Sequence, residues 1–137
     1  PARGGVTLEP VSGNGVLLVA GGTGLALAKA LFTELARQAN PPATWLFFGA
    51  RTREDLYDRE ELSRWAQRHP WLRLVCTVSH GDAYPDEPGT VVDAVTRRGS
   101  WAGYDAYLSG PREMVEILRD RLAALGVAPD HIRYDPQ

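Results

Sequence analysis

Five consecutive apolar residues, Val16-Leu17-Leu18-Val19-Ala20, run straight into the glycine turn Gly21-Gly22-Thr23-Gly24, and an apolar-rich helical stretch follows from Leu25 to Ala39. A strand that is apolar at every position needs cover on both faces, and a glycine turn leading into a helix provides the start of that cover. The unit recurs. Thr44-Trp45-Leu46-Phe47-Phe48 is a second buried-strand run ending at Gly49, followed by a polar loop and a helix announced by Asp58, with Glu61 three residues on as in a capping box. Leu72, Leu74, Cys76 and Val78 space as a third strand, and Val91 to Val95 reads as a short helix after the Pro/Gly-rich loop from Pro85 to Gly89. Tyr104 to Leu108 is a short fourth strand. Pro111 then stands at a first-turn position, Val115, Leu118, Leu122 and Leu125 space as one helical face, and Gly126 supplies the cap. His131 to Asp135 closes the series as a fifth strand.

Strands alternating with helices at this spacing specify an α/β fold: a doubly wound, mostly parallel five-stranded sheet with helices on both faces. Ligands of such sheets sit beyond the carboxyl ends of the strands, where the winding direction reverses, so the loops after strands one, two and four are the place to look. The 137 residues, 44% of them hydrophobic, are enough for one domain with one substantial core, and there is no internal repeat or low-complexity segment. A formal charge of -2 argues against nucleic acid or an anionic membrane as partner, which leaves proteins and small molecules. Cys76 is the only cysteine, so no internal disulfide, zinc site or iron–sulfur set is expected, and a cytoplasmic setting fits. No apolar run approaches the roughly 20 residues that cross a bilayer. The chain opens on Pro1 rather than methionine and stops at Gln137 just after a strand-like run, as expected for a fragment of a longer protein.

The glycines of the 21–24 turn let backbone approach a phosphate, and the helix behind them offers N–H groups and the positive end of its dipole. Neither the Gly-Lys-Ser/Thr of a Walker loop nor the G-x-G-x-x-G dinucleotide spacing is present, so the turn alone is equally a tight strand-to-helix connection. A second such turn, Ser109-Gly110-Pro111, ends the fourth strand. If strands one and four are neighbours across the winding reversal, one turn can hold a pyrophosphate and the other a nicotinamide. The competing reading of Ser109 is an ordinary N-cap hydroxyl. It lacks the glycine two residues earlier that a nucleophile elbow needs, and His69, His80 and His131 read as solvated or structural. Gly49-Ala50-Arg51, with Arg53 and Tyr57 following, ends the second strand. An arginine there pairs with a 2′-phosphate or lies along an adenosine, which leaves both NADH and NADPH open. The acidic run from Asp82 to Glu87 reads as a solvated loop.

Taken in order, Ala20-Gly21-Gly22-Thr23-Gly24, Gly49-Ala50-Arg51 and Ser109-Gly110-Pro111 with Met114-Val115 resemble the ferredoxin–NADP reductase superfamily, nearest its bacterial oxygenase-reductase and flavohaemoglobin-type members. The resemblance runs from Val16 to Asp135 and implies a ferredoxin-reductase-like nucleotide-binding domain over 16–137. It implies further that 1–15, with Gly4-Gly5-Val6-Thr7-Leu8, is the tail of, or linker from, a flavin-binding β-barrel earlier in the same full-length chain. FAD is then expected on that barrel, since no arginine–aromatic–serine flavin motif occurs here. By the same resemblance Gly21, Gly22, Thr23 and Gly24 contact the pyrophosphate of NADH or NADPH. Thr23 and the Ser109, Gly110, Pro111 turn, the two catalytic assignments being Thr23 and Ser109, set the nicotinamide against the flavin. Gly49, Ala50, Arg51 and Tyr57 border the adenosine, and Met114 completes the cofactor-binding set.

The implied function is an electron-transfer flavoprotein module, inactive alone, that positions nicotinamide for hydride transfer to FAD and onward transfer to a haem, iron–sulfur or oxygenase partner. The chain departs from the pattern at Leu27, where many members carry proline, and at Ser109, where many carry cysteine. Those departures support an alternative reading, a catalytically silent docking or regulatory module of the same fold. A self-contained short-chain dehydrogenase is disfavoured because Lys29 is the only lysine and no Tyr-x-x-x-Lys pair exists.

Overall fold

The computed structural model describes residues 14–22, 24–56, 58–79 and 87–136. Its strands are β1 (Gly15–Gly21), β2 (Thr44–Ala50), β3 (Leu72–Val78), β4 (Glu87–Pro88), β5 (Tyr104–Gly110) and β6 (Ile132–Pro136), joined in the order β4-β3-β2-β1-β5-β6. The five expected strands are all present, every pairing is parallel, and the two-residue β4 adds a sixth at the edge of β3. Most of the 1–15 segment lies outside the described residues, as do residues 82–86 of the acidic run.

Why the sheet is wound on both faces is visible in the alternation along β1. Val16, Leu18 and Ala20 point into a core shared with helices α1 (Leu25–Ala36) and α2 (Arg59–Arg68), whereas Leu17 and Val19 point into a second core under α3 (Val91–Arg97) and α4 (Arg112–Ala124). Phe48 and Phe47 divide in the same way. Each such side chain is buried, and complete burial of a Leu or Phe contributes about 1.5–3 kcal/mol. A polar residue on either side of β1 would therefore be buried.

Aromatic rings brace each face at the rim. Trp65 of α2 stacks on Phe32 of α1 at 4.3 Å, with His69 edge-on to the same ring. On the opposite face Trp101 meets Phe47 edge-on, and its indole N–H donates to the carbonyl of Val95 at 2.9 Å, so its single polar atom is satisfied inside the core. His131 Nδ1 lies 2.6 Å from the buried Asp105 carboxylate, tying the 3-10 turn before β6 to β5. His69 and His131 thus make structural contacts, one of the two readings the sequence left open, and His80 lies outside the described residues.

Local corrections to the sequence reading have physical causes. The first helix stops at Ala36 rather than Ala39, because i to i−3 bonds from the N–H groups of Arg37 and Gln38 tighten the last turn ahead of Pro41-Pro42. Asp58 does sit at the N-cap of α2, but the expected Asp58/Glu61 capping box is not formed. Both carboxylates turn instead to Lys29 of α1, at 3.0 Å and 2.8 Å. The capping box is found at the start of α3, between Thr90 and Asp93. Pro111 is the N-cap of α4, one position before the first turn, and the 91–95 helix extends to Arg97. His131 closes the 3-10 turn, so β6 begins one residue later than expected. Gly126, at φ +105°, terminates α4 as expected.

The Lys29 pairing raises the lysine pKa above 10.5, through the hydrogen bond to Glu61 first and that to Asp58 second. Its stabilising contribution is therefore fully present below pH 10.5 and lost as pH climbs through the raised folded-state value. Because the three side chains are part-exposed, Lys29→Met is expected to cost only about 1 kcal/mol in urea unfolding at pH 7. The difference from the parent protein should shrink as salt rises to about 1 M.

Candidate functional site

The sheet winds outward from β1 through β2, β3 and β4, then returns to place β5 on the other side of β1, with Ala20 opposite Ser109. The winding reversal therefore falls between β1 and β5, and the glycine turns that end them lie side by side. Gly22 adopts φ +57°, a conformation that side chains disfavour, and its N–H donates to the carbonyl of Gly49 at 3.4 Å, joining the end of β1 to the end of β2. The N–H of Gly24 donates to Gly21 O at 2.9 Å, closing the turn.

Absent side chains let these turns pack. A Cβ on Gly24 would run into the carbonyl of Ser109 and stand 2.8 Å from its hydroxyl oxygen. One on Gly21 would stand 2.6 Å from Met114 Sδ, and one on Gly110 would stand 2.8 Å from Met114 Cε and 3.1 Å from Gly21 O. Gly49 is held equally closely by Val91, 2.7 Å from its own Cβ position. The turns, with Met114 and Val91 seated against them, thus form a tightly packed floor.

Above that floor opens a cleft of about 820 Å³, roomy enough for a ligand of dinucleotide size. Gly21, Gly22, Gly49, Ala50, Arg51, Pro111 and Met114, all singled out in the sequence, line it together. Gly24, Ser109 and Gly110 lie just behind the lining, with Ser109 only 3% exposed beneath the 21–24 turn. Thr23 and Tyr57 lie outside the described residues. The reading of Ser109 as an N-cap does not hold: it belongs to β5, and α4 begins after Pro111 with no side-chain cap.

The N-terminus of α1 is suited to an anion. Gly24 caps it without a side-chain hydrogen bond, and its first turn carries no acidic residue, so no carboxylate of that turn opposes an anion at the dipole end. Charge elsewhere on the wall is mixed. Arg51 stands with Asp55, whose carboxylate accepts from the Thr52 hydroxyl at 3.1 Å, and Glu113 and Arg121 come from α4. Val91, Val92, Met114 and Ile117 form an apolar side between α3 and α4.

Asp55, Ser79, the start of α3 from Thr90 to Asp93, Glu113, Ile117 and Arg121 were not foreseen. Ser79 was within reach of the carboxyl-end rule applied to the third strand. Thr90-x-x-Asp93 was legible as a capping box. The contributions of Ile117 and Arg121, two turns into α4, depend on the angle at which that helix crosses the sheet, for which the sequence carries no local signal.

Residues 18–120 match the oxidoreductase NAD-binding domain family. The chain belongs to that family. Among curated proteins it is 38% identical, over 122 residues, to the ferredoxin–NAD(P)(+) reductase component of the naphthalene 1,2-dioxygenase/salicylate 5-hydroxylase systems of a Ralstonia species, covering 88% of this chain and 37% of the relative. It is 34% identical to the corresponding component of the naphthalene 1,2-dioxygenase system of Pseudomonas putida, with the same two coverages. Among solved structures it is similar to an Amycolatopsis cytochrome P450 reductase at TM-score 0.86 and 30% identity, covering 94% of this chain and 40% of the other. This NAD-binding domain thus spans about two-fifths of the length of its relatives. The match to the ferredoxin-reductase-like fold and superfamily agrees with the sequence resemblance. Among the described residues no helix is long and apolar enough to cross a membrane.

The close packing of the two turns yields a stability test. Gly24→Ala is expected to destabilise the domain by about 2–4 kcal/mol in denaturant unfolding, because the new methyl meets backbone that has no rotamer to change. Ala26→Ser, on the exposed side of the same helix turn, should change stability by less than about 0.5 kcal/mol.

Proposed function

We propose that this chain is the nucleotide-binding part of a flavin-dependent NAD(P)H reductase, in which residues 16–137 hold NADH or NADPH and 1–15 lead from an FAD-binding domain in the same full-length chain. The observation that carries the reading is the pair of glycine turns packed together at the β1–β5 reversal, opening onto one cleft beside a helix N-terminus capped by Gly24. The printed roles of the oxygenase reductase relatives support an onward path to a haem, iron–sulfur or oxygenase acceptor. The single, buried Cys76 suits a cytoplasmic setting.

The residues divide the work as follows. The 21–24 turn, with Gly21, Gly22, Thr23 and Gly24, brings backbone and the α1 dipole against the pyrophosphate. Gly49, Ala50, Arg51 and Tyr57 border the adenosine, with Asp55 beside Arg51. Ser109, Gly110 and Pro111, together with Thr23, set the angle at which the nicotinamide faces the flavin. Buried Ser109 acts through the turn it supports and is a positioning residue. Met114 and the apolar wall exclude water from that end of the cleft. When bound, the nicotinamide supplies a hydride to the flavin, so the protein's part is orientation.

Titration with NADH and with NADPH, followed by calorimetry and amide NMR, is expected to shift Gly21, Gly22, Gly24, Ser109, Gly110 and Met114. An unchanged spectrum at about 1 mM of either nucleotide, far above ordinary coenzyme affinities, would overturn the reading. Fusion to a matching flavin domain distinguishes a reductase from a silent docking module. The reductase reduces its flavin on addition of nucleotide, and the docking module leaves it oxidised.

A further inference from the structure

The only methionine of the chain, Met114, occupies an unusual position. It sits in the first turn of α4 and lines the cleft, while its thioether rests on both glycine turns at once: Sδ over Gly21 and Cε over Gly110. The space above those glycines is already so filled that a single added carbon would stand 2.6 Å and 2.8 Å from the thioether. A thioether is apolar and pliable, which suits it to this floor, yet oxidation to the sulfoxide converts it into a polar, chiral side chain.

We propose that Met114 is an oxidation site through which hydrogen peroxide lowers the affinity of the cleft for pyridine nucleotide. The sulfur lone pair attacks a peroxide oxygen, the O–O bond breaks as the S–O bond forms, and the departing hydroxide takes up the proton to leave as water. Sulfur is oxidised by two electrons and the peroxide is reduced by two. The new oxygen has no room on the side of Gly21 and Gly110, so it projects into the cleft. There its partial negative charge lies beside the turn proposed to hold the pyrophosphate, and it makes the apolar end of the cleft polar. Both effects oppose nucleotide binding. Cys76, the other sulfur of the chain, is buried in the opposite core beneath α1 and α2, so it does not share this exposure to the cleft. The inference rests on the nucleotide-binding reading given above.

The test treats the 137-residue chain with hydrogen peroxide until intact mass shows one added oxygen, maps that oxygen by peptide mass spectrometry, and measures NADH and NADPH affinity before and after. Oxygen on Met114, an affinity about tenfold weaker and recovery after treatment with methionine sulfoxide reductases are expected. Met114→Leu, compared only with itself, should show the same affinity before and after peroxide. Failure of Met114 to take up oxygen, unchanged affinity of the Met114 sulfoxide form, or an equal loss in Met114→Leu would overturn the proposal. Binding of neither nucleotide by the untreated chain would instead remove the nucleotide-binding reading itself.

Discussion

The contact between Gly24 and the carbonyl of Ser109 is the constraint on which the site depends. Any side chain at residue 24 would push α1 away from β5. Separation at that point would also move the N-terminus of α1, because Gly24 is its cap and its N–H closes the turn onto Gly21. Two strand-to-helix turns, distant in sequence, are thus one packed unit. Glycines at 21, 24, 49 and 110 let the turns, Met114 and Val91 pack this closely beneath the cleft.

That unit is held from below by β1, which is enclosed on both faces. Leu17 and Leu18 point in opposite directions and are both fully enclosed, so β1 cannot slip or twist without exposing one core or the other. The parallel registers of β1 with β2 and with β5 carry this rigidity to Gly49 and Ser109. The variable parts of the site are hung on the rigid part. Arg51 and Asp55 follow the end of β2, and Met114 and Ile117 belong to a helix whose buried side, Val115, Leu118 and Leu122, is anchored in the core.

Much of this was legible in the chain because the signals are local. Continuous apolar runs ended by glycine specify buried parallel strands, and the order of the three glycine-bearing motifs points to one family and one ligand class. Where the sequence reading went astray, a distant residue had altered a local preference. Asp58 and Glu61 have the spacing of a capping box, but Lys29, thirty positions away on another helix, offers both carboxylates a positive charge. Ser109 resembles an N-cap until β5 is seen to continue through Gly110.

The sequence by itself determined the alternation of strands and helices, the two-sided burial of the sheet and the glycines without which the turns could not close. Those are consequences of side-chain size, hydrophobicity and backbone freedom, all properties of short segments. Only the tertiary structure decided that the 21–24 and 109–111 turns lie against each other, that Met114 covers both, and that the cleft extends between α3 and α4 to Ile117 and Arg121. The contacts between the two turns, and that of Met114 with Gly21, join residues some ninety positions apart. They follow from β5 returning to the side of β1, a choice made by the packing of the whole sheet rather than by any one motif.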